Sequence, residues 1–402
     1  MKYIFCSFMF DDVEENVKNS KSPNSVSGHK FQMNMLNGLA ENGCDIKVIN
    51  TPRIRRYPDY KKIIFRKRPF YTEKDKNAIS VGFINLKGLN YLTQIHSIYK
   101  ELRIELSKAG NEKVVLLIFN TYPAQMLAIR CIKKKYKNVS ICNVIGDIYG
   151  QYGLTTENNL HGKLLEIVHN KLDEMASGCD AFGLATRDMA TALGVQDKPY
   201  VVIEGMYEVK SISLISEKQL SGHKRVFYAG ALNKEYDIDH MLRAFSLIKD
   251  PSYEFILAGS GDAIASVRAA ASTDYRIKYL GFITPKEVEN YQCSSCVLIN
   301  PRTSEHQYVK YSFASKTLEC LASGVPYVAH KLPCNPEEYS SYIIYPDDES
   351  DQALADAIQK VSNMSLNDRI EIGKRNREFI KQYKNPKFQM SRLNQMLQSI
   401  WD

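Results

Sequence analysis

No apolar run in this chain is long enough to cross a bilayer. The longest, such as VVLLIF at 114–119, are strand-sized, far short of the roughly 20 residues a spanning helix needs. The opening MKYIFCSFMFDD turns acidic too early for a secretory signal and reads as the first strand of a domain. Metal-type cysteine spacing is missing as well. The nine cysteines are scattered, and the one CxxC, Cys293 and Cys296, has no second CxxC or His-x-His to complete a zinc site. Without an export signal they read as reduced thiols of a cytosolic protein. Low-complexity tracts are absent. So is the dinucleotide pattern GxGxxG, because no third spaced glycine follows Gly259 and Gly261.

What is present is a soluble composition, 44% apolar and 24% charged over 402 residues. That length suits two domains of about 150 to 200 residues each. Strand-like runs alternate with helix-length segments. The first half reads strand 2–8, helix 29–43, strand 45–50, strand 114–120, helix 124–136, strand 139–146, helix 161–178 and strand 181–186. The second half repeats the order with strand 224–230, helix 237–249, strand 253–261, strand 276–283, helix 285–294, strand 296–301, helix 314–324 and strand 326–330, and turns helical again after about 365. Alternation of this kind predicts parallel sheets with helices on both faces, an α/β chain of two doubly wound, Rossmann-like domains. The expected layout is 1–204, a polar linker at 205–223, 224–385, and a last helix at 386–402 crossing back to the first domain. Two such sheets would leave a cleft between their carboxyl ends, where ligands bind.

Charge is unevenly placed. Between Arg53 and Lys76 lie ten basic and three acidic residues, nearly the whole formal surplus of +8, with Tyr57, Tyr60, Phe65, Phe70 and Tyr71 interleaved. That mixture suits an anionic membrane surface. A solvated loop over a small apolar floor is the plainer reading, and nucleic acid is not expected.

The segment PRTSEHQYVKYSFASKTLECLASGVP (301–326) follows an apolar strand and opens a helix near Ala314. Ser312, Ser315, Lys316 and Glu319 share one face there, while Phe313, Thr317, Cys320 and Leu321 form a less polar one. A helix start with free backbone N–H groups, the Ser315 hydroxyl and the Lys316 ammonium offers a place for a diphosphate. Glu319, one turn on, can hold sugar hydroxyls. A nucleotide-sugar meets both demands, and ordinary Lys–Glu pairing on a surface helix is the alternative. Gly230 at the head of GALNKEYDID (230–239), and Gly259 and Gly261 after EFILA, are strand-end turns that let a ligand approach backbone.

These segments resemble the retaining, two-Rossmann-domain glycosyltransferases of family 4, in particular the bacterial polysaccharide branch with its NPR…YSFPSK-x-x-EY-x-ASG-x-P signature. The resemblance covers about 222–385 and is looser in the first half. It implies a GT-B fold and transfer of a sugar, with retention and without an essential metal or cofactor, from a UDP- or GDP-linked donor to a saccharide or lipid-linked saccharide acceptor, as in capsule, exopolysaccharide or O-antigen synthesis. By analogy Arg302 and Lys316 would neutralise the leaving diphosphate. Ser315 and Thr317 would line the donor site, Glu319 would hold the ribose, and Phe282 and Ile283 the base. The family's first carboxylate falls on Tyr311, with Glu305 as its substitute. Its turn cations fall on Ala231 and about Tyr236, with Lys234 as stand-in. Gly28 and His29 are acceptor-side candidates, and Asp147 would orient the acceptor hydroxyl. A nucleotide-sugar epimerase and a non-catalytic nucleotide-sugar-binding subunit are the rival readings.

Overall fold

The computed structural model describes residues 1–21, 26–72, 74–75, 77–148, 170–209 and 224–401. They form two compact units, Met1–Met206 with Pro386–Asp402, and Tyr207–Asn385. The expected linker lies outside the described residues from 210 to 223, as does most of the helix expected at 161–178.

The first unit runs β1 (Lys2–Ser7), α1 (Val13–Asn19), α2 (Ser27–Glu41), β2 (Asp45–Asn50), β3 (Ile64–Phe65), β4 (Arg68–Pro69), β5 (Ile79–Ser80), β6 (Phe83–Ile84) and α3 (Leu89–Ala109). It continues with β7 (Val114–Phe119), α4 (Pro123–Lys133), β8 (Val139–Ile145), α5 (170–177), β9 (Ala181–Leu184), α6 (Asp188–Ala192) and β10 (Tyr200–Val202). The second unit holds β11 (Lys224–Ala231), α7 (Ile238–Leu247), β12 (Tyr253–Ser260), α8 (Ile264–Thr273), β13 (Ile277–Tyr279) and α9 (Pro285–Cys293). There follow β14 (Val297–Asn300), α10 (Lys316–Ser323), β15 (Tyr327–Ala329), α11 (Asp351–Ser362) and α12 (Leu366–Tyr383). The last helix, α13 (Pro386–Ser399), belongs to the first unit.

In the first unit the sheet order is β10-β9-β8-β7-β1-β2-β5-β4, parallel except for the β4–β5 pair. Every residue of β7 and β8 is buried, as central parallel strands covered on both faces must be, so they read as continuous apolar runs. Helix α13 packs on α2. A Cβ on Gly38 would sit 2.2 Å from the Pro386 carbonyl oxygen, so the close approach needs glycine there. Asn42 Nδ2 donates to the Lys387 carbonyl at 2.8 Å.

The second unit has order β13-β12-β11-β14-β15, all parallel. Successive β11 residues serve opposite cores. Val226 and Tyr228 join Ile238, Met241, Phe245, Leu354 and Ile358 on one face, and Phe227 joins Leu318, Leu321 and Phe379 on the other. That is the period-2 alternation of a strand with helices on both sides. Ile238, Met241, Leu242 and Phe245 recur at helical spacing, which is why α7 was visible in the sequence. In each sheet the order reverses once, between β1 and β7 and between β11 and β14, the kind of point at which ligands bind outside the carboxyl ends of the strands in open α/β sheets.

Candidate functional site

The reversal point of the second unit is built from glycine turns. Gly230 and Gly259 pair across β11 and β12. Gly259 has φ +137°, and a Cβ there would lie 1.8 Å from the Gly230 carbonyl oxygen. A Cβ on Gly261 would lie 2.2 Å from the Leu232 carbonyl oxygen. Both positions therefore need glycine to let two backbones touch, independently of any ligand. The exposed Lys234 opens a 3₁₀ turn (Lys234–Tyr236) whose first N–H donates to Asp262 Oδ1 at 2.7 Å.

Arg302, two residues beyond β14, is drawn to that turn. Its guanidinium carbon lies 4.0 Å from the centre of the Tyr236 ring and 5.7 Å from that of Tyr308. Its Nη1 is buried without a hydrogen-bond partner, and among the described residues no carboxylate pairs with this arginine. The surrounding loops are locked to each other. Asp237, in the left-handed region at φ +59°, accepts from the Thr303 amide at 2.8 Å and the Thr303 hydroxyl at 3.0 Å, and lies 3.2 Å from His306 Nε2. Tyr308 donates its hydroxyl to the Glu235 carbonyl at 2.8 Å. Ser304 is tied through its N–H and hydroxyl to Glu349, at 2.8 and 3.0 Å. Tyr236 was read from the sequence only as the place of a family turn cation, and Asp237, His306 and Tyr308 were not singled out. Asp237 lay in the polar run EYD after a strand-end glycine, and His306 and Tyr308 in the run SEHQYVK after β14.

At the start of α10, Ser315 is exposed and forms no side-chain cap, while Lys316 Nζ donates to Glu319 Oε2 at 2.7 Å. The two groups assigned to opposite ends of a ligand are thus each other's partner here. Thr317 is a correction. Its side chain is buried, with Oγ1 3.2 Å from the Tyr327 hydroxyl, because it falls on the helix face that packs on the sheet. It cannot offer that hydroxyl to a ligand. Glu305 is exposed on the loop beyond Arg302, Phe282 is 85% exposed just after Gly281, and Ile283 is half-buried. Beside these loops lies a buried relay. His240 Nδ1 is 2.5 Å from Asp351 Oδ1, and His240 Nε2 is 2.9 Å from His330 Nε2. Burial first, and then the neighbouring His240, push His330 down to about 4.

In the first unit, Gly28 and His29 open α2 against an aromatic cluster. Phe8 stacks on Tyr122 with centroids 4.1 Å apart, and Phe10 lies 5.5 Å from His29. The Arg53 guanidinium sits 5.8 Å from both the Phe8 and Phe10 rings and fills the space beside Gly28, where a Cβ would meet Nη1 at 2.3 Å. His29 Nδ1 is buried without a partner, and burial, then Arg53 and Lys30, lower its basicity. Asp147 is exposed just past β8, beside Gly146, whose N–H donates to Asn120 Oδ1 at 2.7 Å. Asn120 itself holds a left-handed φ of +56° at the end of β7.

The basic stretch divides in two. Arg68 binds Asp11 (2.7 Å) and Lys67 binds Glu101 (2.8 Å), while Tyr60, Phe65 and Phe83 make a small core. These residues hold the unit together and are not free for a partner. Lys61, Lys62, Ile64, Arg66 and Tyr71 remain exposed, and Lys62, Ile64, Phe65, Arg66 and Arg68 line an open cavity of about 360 Å³. Arg56 lies over Tyr91 in the first turn of α3, which also exposes Leu89 and Leu92. Lys76 lies outside the described residues. Among the described residues no helix is long and apolar enough to cross a membrane, and no cluster of three or more His, Cys, Asp or Glu is placed to hold a metal ion.

A chain of two doubly wound units, each with its strand order reversing once, defines a class: the two-Rossmann GT-B fold. Residues 223–363, most of the second unit, match the family model described as Glycosyl transferases group 1. Whole-chain structural likenesses agree with that class. Sucrose-phosphate synthase of Thermosynechococcus elongatus matches at TM-score 0.62 and 13% identity, covering 100% of this chain and 99% of that one. HepE of Anabaena, solved with UDP, matches at TM-score 0.62 and 14% identity over 99% and 100%. The lipopolysaccharide outer core galactosyltransferase WaaB matches at TM-score 0.61 and 10% identity over 100% of both. Among curated proteins none matches the sequence.

Proposed function

We propose that the chain is a retaining, metal-independent glycosyltransferase. It moves a sugar from a UDP- or GDP-linked donor to a hydroxyl of a growing polysaccharide or lipid-linked oligosaccharide, of capsule, exopolysaccharide or O-antigen type. The observation that carries this reading is Arg302. A guanidinium with a buried Nη1 and no carboxylate partner is costly to keep, and a bound diphosphate supplies the missing counter-charge through charge-assisted hydrogen bonds. Lys316, drawn to the same diphosphate, would release Glu319 for the ribose, and exposed Phe282 with Ile283 would cover the base. As the glycosidic bond to the donor breaks, negative charge collects on the leaving diphosphate, and Arg302 with Lys316 stabilises it by a few kcal/mol per well-placed donor. The donor phosphate takes the acceptor proton, so the scheme needs no pair of carboxylates. On the acceptor side, the aromatic cluster with Gly28, His29 and Asp147 suits a sugar face. The exposed cations and apolar residues around Lys62, Arg66, Leu89 and Leu92 suit an anionic membrane surface on the cytoplasmic side.

Calorimetric titration with UDP, GDP and their sugars tests the donor half. One nucleoside diphosphate should bind, and Arg302→Ala should weaken it on the order of 100-fold. An unchanged affinity in that variant sinks the reading. Proton NMR of the product should show the donor's anomeric configuration kept. Donor turnover that needs no acceptor and yields an epimer would favour the epimerase, and binding without turnover a non-catalytic subunit.

A further inference from the structure

We infer that Tyr236 is a positioning residue for Arg302, holding the guanidinium ready for a phosphate without consuming any of its hydrogen-bond donors. This rests on the reading of Arg302 as a diphosphate ligand and adds the device that makes it one. An arginine near a protein surface normally finds a carboxylate, and two carboxylates are at hand in the same turn, Glu235 and Asp237. Neither takes it. Asp237 is occupied by the Thr303 amide, the Thr303 hydroxyl and His306, and its left-handed backbone at φ +59° is held in that arrangement. Glu235 accepts the Tyr308 hydroxyl on its carbonyl at 2.8 Å, and among the described residues no ion pair joins its carboxylate to Arg302.

The guanidinium rests instead on the Tyr236 ring at 4.0 Å, with Tyr308 as a second wall at 5.7 Å. A ring face attracts a cation through its quadrupole, and that attraction leaves the five N–H donors of arginine unspent. A carboxylate in the same place would bind more strongly and would use two donors in a fork, silencing the site. The tyrosine thus fixes where the positive charge sits while leaving its chemistry for the ligand. Tyr308 serves both functions, as a wall for the cation and, through its hydroxyl, as the bolt between the turn after β11 and the loop after β14. Together these contacts make a preformed oxyanion seat at the reversal point of the sheet, with the cation supplied from β14 and its platform from β11.

The test is isothermal titration of the full chain with UDP and GDP, alongside uridine and guanosine, using Tyr236→Phe, Tyr236→Leu, Tyr236→Glu and Arg302→Ala. Tyr236→Phe keeps the ring and should keep diphosphate affinity within about twofold. Tyr236→Leu should lose roughly fivefold to thirtyfold for the diphosphate, with nucleoside affinity unchanged. Tyr236→Glu should capture Arg302 and lose more than Tyr236→Leu while melting at or above the wild-type temperature. That last result separates a silenced cation from a damaged fold. If Arg302→Ala weakens diphosphate binding and Tyr236→Leu does not, the platform is overturned while Arg302 keeps its role. If Arg302→Ala has no effect, or neither diphosphate binds the wild type, the functional reading itself fails, and the platform with it.

Discussion

Both units place an arginine on aromatic rings at the point where their strand order reverses, yet the two arrangements differ. Arg302 lies 4.0 Å from the centre of the Tyr236 ring, among the polar loops after β11 and β14. Arg53 stands off Phe8 and Phe10 at 5.8 Å, among Phe8, Phe10, Tyr122 and His29, a mouth that is mostly ring faces. The same doubly wound frame thus carries one reversal point that sets a cation on a single close ring and one lined mostly by ring faces. The glycines repeat the contrast. Gly259 and Gly261 are hemmed in by backbone, whereas Gly28 is crowded only by the tip of a side chain.

The largest expected difference exploits those glycines. Gly259→Ala must move the Gly230 carbonyl and hold a left-handed φ, so it should cost about 2 to 4 kcal/mol and lower the calorimetric melting temperature of its unit by on the order of 10 °C. Gly28→Ala displaces only the Arg53 guanidinium and should cost under about 1 kcal/mol. Equal losses would break the comparison. The buried histidine pair gives the next effect. Asp351 holds the Nδ1 proton of His240, so His240 Nε2 accepts from His330 Nε2–H, and a proton added at His330 Nδ1 would leave a charged ring buried beside His240. Arg243, Asp237, Asp348 and Glu349 complete the charged surroundings. His330 falls from 6.5 to about 4 in the folded unit, so the unfolded chain takes up a proton first as pH drops. Stability from this group is full above pH 6.5 and should fall by about 3 kcal/mol as pH drops toward about 4. A His330→Gln variant should flatten that slope in thermal melts, and an unchanged slope would assign it elsewhere. The smallest effect tests the first unit's exposed cations. Arg66→Ala should weaken flotation with anionic liposomes by about 1 kcal/mol, roughly fivefold, and Arg68→Ala should act through stability because it holds Asp11. Binding indifferent to Arg66 would remove the membrane surface as a partner.

Much of the second unit was legible because its apolar runs are short, buried on both faces and separated by glycine turns. The β14–α10 segment stood out by its charges. In the first unit the longest helix, α3, went unread. Its buried face carries Asn90, Gln94, Glu101 and Glu105 beside Ile98, Leu102 and Leu106, while Leu89 and Leu92 face solvent, so the helical period of apolar residues is blurred. Those buried polar groups have long-range partners, Lys67 for Glu101 and the Tyr122 hydroxyl for Gln94, which no local pattern announces. For the same reason Lys67 and Arg68 looked free and are not. The Tyr236–Arg302 contact spans 66 positions, and nothing adjacent in sequence marks either residue for the other. Thr317 shows the reverse limit: one place along α10 decides whether a hydroxyl meets a ligand or a tyrosine in the core.

The helix α13 docks on α2 through the bare Cα of Gly38, although the whole second unit separates the two in sequence. The first unit is therefore interrupted by the whole of the second and lacks its closing piece until residues 386–402 have been made. The second unit, continuous from Tyr207 to Asn385, has all its own chain earlier and can mature while its forerunner still waits. A stop codon just before Pro386 would spare the later unit and leave the earlier one with an open flank, its Met35 and Leu39 face exposed to aggregation.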